Sequence, residues 1–134
     1  MKGDVYFHAR FPYSDGTFGE KRFVIINAPV KKEPFLVLKT TSRNIPDELG
    51  AGCHHERRVF YIKAGTCNCF PIPTLVQLAE IFELSQVELV KGHLQEKTVE
   101  HKGAIPDLIM SQLINCLKRL KEDIAEIHAS MIFR

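Results

Sequence analysis

Apolar and polar positions alternate near the start of the chain with the period of a half-buried strand. Val5, Phe7, Ala9 and Phe11 interleave with Tyr6, His8 and Arg10, and residues two apart on a strand share a face. Ser14, Asp15 and Gly16 then supply turn chemistry. Residues 18–20 lead into a second apolar run, Lys21-Arg22-Phe23-Val24-Ile25-Ile26. A proline-flanked break at residues 28–34 separates it from a third, residues 35–39, which Thr40, Thr41 and Ser42 close. Residues 57–64 predict a further strand, ended by Gly65. Short strands joined by short turns predict an antiparallel sheet that curls into a small β-barrel and so hides its edges.

From residue 73 onward the pattern changes to helical spacing. Leu75, Leu78, Ala79 and Phe82 recur at that spacing, widened by Val76 and Ile81. Ser85-Gln86-Val87-Glu88 fits a capping box that restarts a short helix. Residues 95–103 are polar and read as a loop. Pro106 and Asp107 then open the longest predicted helix, with a proline at its first turn and apolar residues recurring from 109 to 131. An unbroken helix over residues 107–132 would be about 39 Å long, more than one face of a small barrel covers. Met110, Ile114, Leu117, Ile124 and Met131 would then leave an apolar strip for a partner, and a homodimer is the simplest expectation. The fold class is therefore α+β, a single domain over residues 1–134, with a barrel over about 1–72 and a helical part over about 73–134.

Composition narrows the function classes. The 134 residues are 45% hydrophobic and 25% charged with a formal net charge of +2, so a nucleic acid would have to be held by a local patch and not by the whole surface. No apolar run approaches the roughly 20 residues that span a bilayer, and no signal peptide opens the chain, so the expected location is cytoplasmic. The chain has no P-loop, dinucleotide fingerprint, nucleophile elbow or His-Glu-x-x-His motif. The carboxylates Glu20, Glu33, Asp47, Glu48 and Glu56 are scattered through turns and loops, with no spacing for a paired-carboxylate or metal site.

Cysteines stand at 53, 67, 69 and 116. Cys53-His54-His55 beside Cys67-Asn68-Cys69 offers zinc-ligand chemistry, but Cys67 and Cys69 lack the knuckle spacing of structural zinc sites. Neither a metal nor a cofactor is expected. In a reducing compartment these cysteines are expected as free thiols, with Cys116 a core position of a helix.

Arg22 opens one strand and Thr41-Ser42 closes the next, so neighbouring strands can bring a fixed positive charge and hydroxyls into one cleft. That combination suits a phosphate. Between strands, residues 43–56 form a long loop without a pattern of its own, which is either a solvated polar loop or a mobile basic flap over a ligand. It carries Arg43, His54 and His55, with Arg57 and Arg58 just beyond, and these form a candidate basic ligand-binding set.

Gly3-Asp4-Val5-Tyr6, then Arg22-Phe23-Val24-Ile25-Ile26, then Thr41-Ser42, resemble in order and spacing the motifs of PemK/MazF-like toxins. Phe60-Tyr61-Ile62, Phe70-Pro71 and residues 74–89 extend the likeness over roughly the first 90 residues. The resemblance implies an SH3-like barrel that cleaves single-stranded RNA and is neutralised by an antitoxin protein. It also makes Arg22 the catalytic arginine and Thr41 the catalytic threonine, with Ser42 adjacent. Phe23 stands where proline is usual, Lys39-Thr40 replaces a Pro-x pair, and the C-terminal helix is long. The same fold hosts gyrase-binding toxins that cleave nothing, so a non-catalytic interaction module is the alternative. RNA carries its own nucleophile in the 2′-hydroxyl, so cleavage needs only a base, a charge for the developing oxyanions and a proton for the leaving oxygen. Arg22 and the hydroxyls of Thr41 and Ser42 can meet the phosphate, and His8, His54 and His55 are candidate auxiliaries.

Overall fold

The second half of the second strand and most of the third are buried on both faces, and the rest of the chain is arranged to cover them. In the computed structural model, which describes residues 2–134, β1 (Asp4–Pro12), β2 (Phe18–Ile25) and β3 (Phe35–Thr41) form an antiparallel meander. Along β2, Phe23 and Ile25 point into one apolar cluster while Val24 and the following Ile26 point into another. Along β3, Phe35 and Val37 alternate in the same way with Leu36 and Leu38. The alternation of side chains across a strand divides these runs between two cores.

The sheet has eight strands in the order β4-β5-β6-β3-β2-β1-β8, with β7 also paired to β3. Here β4 is Gly52–His54, β5 Val59–Ile62, β6 Thr74–Gln77, β7 Phe82–Leu84 and β8 Val99–Ala104. One edge of β3 is shared: its first half pairs with β7 and its end, Thr40 and Thr41, with β6. The strands β4 and β8 are the edges, so the sheet is antiparallel and open among the described residues. Asn27, fully buried after β2, fixes the β2–β3 connection: its Oδ1 accepts from the Leu36 N–H at 2.8 Å and its Nδ2 donates to the Pro34 carbonyl at 3.1 Å.

Several expected elements take another form. Residues 74–84 are strands β6 and β7, not a helix. Thr74, Leu75 and Val76 are all buried because β6 lies between β5 and β3, and strand pairing overrides the helical spacing of 75, 78, 79 and 82. The polar stretch 95–103 supplies β8, which pairs with β1 through one buried anchor, Val99. The first strand is partly buried, but not in the expected alternation: Tyr6 is buried beside Phe23 in the second cluster, at a ring separation of 5.9 Å, while Phe7 and Ala9 are only partly buried. The N-cap half of the predicted capping box forms, with Ser85 Oγ accepting from the Glu88 N–H at the start of α1 (Gln86–Lys91).

The long C-terminal helix is two shorter ones, α2 (Asp107–Lys118) and α3 (Glu126–Ile132), joined through a 3-10 turn at Lys121–Asp123. The break lets both helices lie on one core: Met110, Leu113, Leu117, Met131 and Ile132 are buried in the first cluster, with Ile114 and Ile124 packed against it. The strip that an unbroken helix would have left for a partner is largely consumed within the chain. No helix is long and apolar enough to cross a membrane among the described residues.

The cysteines are paired and not free. Cys53 of β4 is bonded to Cys116 of α2, and Cys67 to Cys69 in the turn after β5. The first bond joins residues 63 apart and ties the loop before β5 to the helical layer. Cross-linking a chain over that distance removes unfolded-state freedom. Cys53→Ala/Cys116→Ala is therefore expected to cost about 2–4 kcal/mol in urea unfolding. The unreduced parent protein, once denatured, should show no thiol reactive toward an alkylating reagent.

Candidate functional site

The polar ends of β2 and β3 meet because the two strands run antiparallel. Phe23 is opposite Lys39, which places Lys21 and Arg22 beside Thr40 and Thr41 where both strands leave the core. Thr40, itself buried, donates from Oγ1 to the Arg22 carbonyl at 3.0 Å and locks the strand ends together. Lys21 Nζ donates to the Thr40 carbonyl at 3.3 Å. An open cleft of about 570 Å³ lies over this junction.

The cleft has a second wall. Beyond the Cys67–Cys69 turn, Phe70, Pro71 and Ile72 line it, followed by Thr74 at the start of β6. Arg22 reaches that wall and donates from Nη1 to the Cys69 carbonyl at 2.6 Å. Ser42 Oγ and Thr74 Oγ1 lie 3.5 Å apart across the cleft floor. Thr41 Oγ1 accepts from the Arg43 N–H at 3.2 Å, which shapes the turn out of β3.

The charge balance is uneven. Lys21, Arg22 and Arg43 line the cleft and Glu20 is the carboxylate among its lining residues. Among the described residues none of these cations forms an ion pair within 4.0 Å. Burial pushes the Lys21 ammonium below the ordinary lysine range, and the nearby positive charges of Lys39 and Arg43 lower it further. A guanidinium, an ammonium and hydroxyls around one hollow, with Glu20 as the carboxylate among the lining residues, are a combination chemically suited to an anion. Lys39 stands just beside it, its Nζ 5.1 Å from the Tyr13 ring centre and 4.6 Å from that of Phe82. Tyr13 lines the cleft as well.

Of the residues singled out in the sequence, Arg22, Thr41, Ser42 and Arg43 are brought together here. His54, His55, Arg57 and Arg58 do not line the cleft. His54 is turned back on its own loop, its Nε2 2.6 Å from the Gly50 carbonyl. His55 contacts Glu56 at 3.3 Å, and Arg58 pairs with Asp123 at 3.3 Å near the C-terminal helices. The loop that was expected to act as a flap is held by β4, by that His54 contact and by the Cys53–Cys116 bond. His8 lies elsewhere, its Nδ1 accepting from the Arg10 N–H at 3.0 Å, and burial holds its pKa below the ordinary histidine value. Lys21, Glu20, Thr40, Tyr13 and Thr74, with Phe70, Pro71 and Ile72 of the second wall, are cleft residues outside the predicted site set. The alternation rule places Lys21 on the face opposite Arg22 and so hides it. Among the described residues no three His, Cys, Asp or Glu side chains converge as a metal-binding group.

No family model matches the chain, and no curated protein matches it.

An anion bound in the cleft would favour the charged form of Lys21, which gives binding a defined pH dependence. In the free protein the folded state holds this proton less tightly than the unfolded chain. Stability accordingly rises with pH between the lowered folded pKa and the ordinary value of 10.5. Binding reverses the preference and takes up a proton. Affinity for inorganic phosphate, measured by calorimetry above about pH 8 where the ligand's own charge is constant, should fall as pH rises through the folded pKa of Lys21. Lys21→Arg should keep the affinity and flatten the slope.

Proposed function

We propose that the protein is a metal-independent endoribonuclease of the toxin–antitoxin type, cutting single-stranded RNA in the cleft between β2, β3 and the 69–74 wall. The observation that carries this reading is the convergence of Arg22, Lys21 and Arg43 with the Thr41 and Ser42 hydroxyls at one hollow. An RNA phosphodiester seated there supplies its own nucleophile. Glu20 is the carboxylate at hand to take the 2′-hydroxyl proton. Arg22 and the hydroxyls meet the oxygens on which charge develops. The Lys21 ammonium, made more acidic by burial and by like charge, can return a proton to the departing 5′-oxygen. The 2′-oxygen forms a bond to phosphorus as the 5′-oxygen leaves, giving a 2′,3′-cyclic phosphate and a 5′-hydroxyl.

The finer description of the sheet as an SH3-like barrel belongs to the same proposal. The sharing of one β3 edge between β7 and β6 supports it, since one strand can serve two partners in succession by bending between them. An antitoxin and a second copy of the chain are the protein partners of this reading. Val87, Val90 and Leu94, exposed on and just beyond α1, offer apolar surface for one of them.

Arg22→Ala is expected to slow RNA cleavage roughly a hundred- to a thousand-fold, the effect of losing one preorganised donor, with an unchanged circular dichroism spectrum. Arg22→Lys should also be slow, because an ammonium lacks the planar fork. Full activity in Arg22→Ala would sink the assignment. Cleavage should persist in excess chelator and leave cyclic phosphate ends. Intact RNA beside inhibition of a protein target would instead place the chain with the non-catalytic toxins.

A further inference from the structure

Arg22 is held by a carbonyl that belongs to a disulfide. Its Nη1 donates to the Cys69 carbonyl at 2.6 Å, across 47 positions of sequence, and Cys69 is bonded through sulfur to Cys67. Only Asn68 separates the two cysteines, so the bond closes a small ring around the peptide units on either side of Asn68. The Phe70 N–H, donating to the Cys67 carbonyl at 3.3 Å, tightens the same turn. Cys69 is also pressed against β8 at Gly103, where a Cβ would stand 3.4 Å from the Cys69 Cβ. The next residues are Phe70, buried in the first core, and then Pro71 and Ile72 of the cleft wall.

We propose that the Cys67–Cys69 bond is a redox switch that positions Arg22, with the oxidised protein as the form competent to bind phosphate. This rests on the reading of the cleft as the RNA site. A guanidinium has five N–H donors, so the one given to Cys69 orients the plane and leaves others for a ligand. Opening the ring frees the Cys69 peptide to turn, and Arg22 loses the partner that fixes it. Cys67 is partly exposed while Cys69 is 1% exposed, so Cys67 is the sulfur open to attack. A small thiolate bonds to Cys67 Sγ, the Cys67–Cys69 bond breaks, and Cys69 leaves as a thiolate that takes a proton. A second thiolate then attacks the small-molecule sulfur of the mixed disulfide and releases Cys67, which is protonated in turn. The two small thiols leave joined as a disulfide, having passed two electrons to the protein. Cys53–Cys116 is a separate bond on the helical layer, with Cys116 buried, and has no contact with Arg22 in the hydrogen-bond network.

The test compares the oxidised protein, the protein mildly reduced until mass spectrometry shows only Cys67 and Cys69 open, and Cys67→Ser/Cys69→Ser. Three readouts are taken on each: the ¹⁵N guanidinium resonances of Arg22, assigned by their loss in Arg22→Lys, affinity for inorganic phosphate, and cleavage of a short RNA. Opening the ring should average the Arg22 resonances and weaken phosphate binding roughly tenfold, the scale of one hydrogen bond to a charged group. The double variant should match the reduced protein and ignore added thiol. If that variant fails to fold, the reduced parent decides alone. Arg22 resonances and phosphate affinity unchanged on reduction would overturn the switch, whatever the RNA does. RNA left intact in every state, with resonances and affinity still following the disulfide, would defeat the nuclease reading and leave the switch standing.

Discussion

Burial of β2 and β3 on both faces is the constraint from which the rest of the architecture follows. Phe23, Val24, Ile25, Leu36, Val37 and Leu38 are each 0% exposed, so these stretches of the two strands offer neither face to water. Two covers are required, and the chain supplies both. Helices α2 and α3 close over Val24, Leu36 and Leu38, while Tyr6, Phe11, Leu84, Leu89 and Val99 close over Phe23, Ile25, Phe35 and Val37. A continuous 107–132 helix could not have done its share, because a straight rod runs past a small sheet. The 3-10 turn at Lys121–Asp123 is the local geometry that brings α3 back over it.

The same constraint makes the cleft. Antiparallel pairing brings the beginning of one apolar run beside the end of the other, so both strands become polar at the same place. Lys21-Arg22 precede Phe23, and Lys39 to Ser42 follow Leu38. Thr40 is the exception that proves useful: it stays buried and gives its hydroxyl to the Arg22 carbonyl, so the junction remains ordered where apolar packing runs out. Burial, and then the nearby charges of Lys39 and Arg43, lower the Lys21 pKa, and among the described residues the cleft's cations form no ion pair. A surface arranged for stability alone would have interspersed acidic residues. An anion removes the repulsion, and that is the physical sense in which the cleft is unfinished.

How much was legible in the sequence divides along the same line. The strands over 4–12, 18–25 and 35–41 could be read because their apolar runs are punctuated by strong turn chemistry at 14–16 and 28–34. The meeting of Arg22 with Thr41 and Ser42 followed from adjacency of those strands. The strands β6 and β8 could not be read, because their strand state comes from neighbours. A four-residue run such as 74–77 carries too few positions to separate a period of 2 from one of 3.6, and the polar β8 owes its state to pairing with β1. The disulfides were hidden for a different reason. Compartment logic argues for thiols, and only the fold shows that β4 and α2 bring Cys53 and Cys116 to a Cα separation of 5.5 Å.

The long loop illustrates how a covalent bond changes the function a segment can have. Its length and lack of pattern fit a flap, yet Cys53 anchors it to α2, and His54 contacts the Gly50 carbonyl of its own loop and does not line the cleft. The basic residues that seemed to crown the site are drawn off to one side, and Arg58 is committed to Asp123. The wall that does face Arg22 is the shorter 67–74 segment. It is held at one end by the small disulfide ring and at the other by β6, with Phe70 anchored in the core between them. A preorganised charge needs a fixed partner on a fixed support. In this fold the segment beside the guanidinium is the one closed by the Cys67–Cys69 ring, and its Cys69 carbonyl accepts from Arg22.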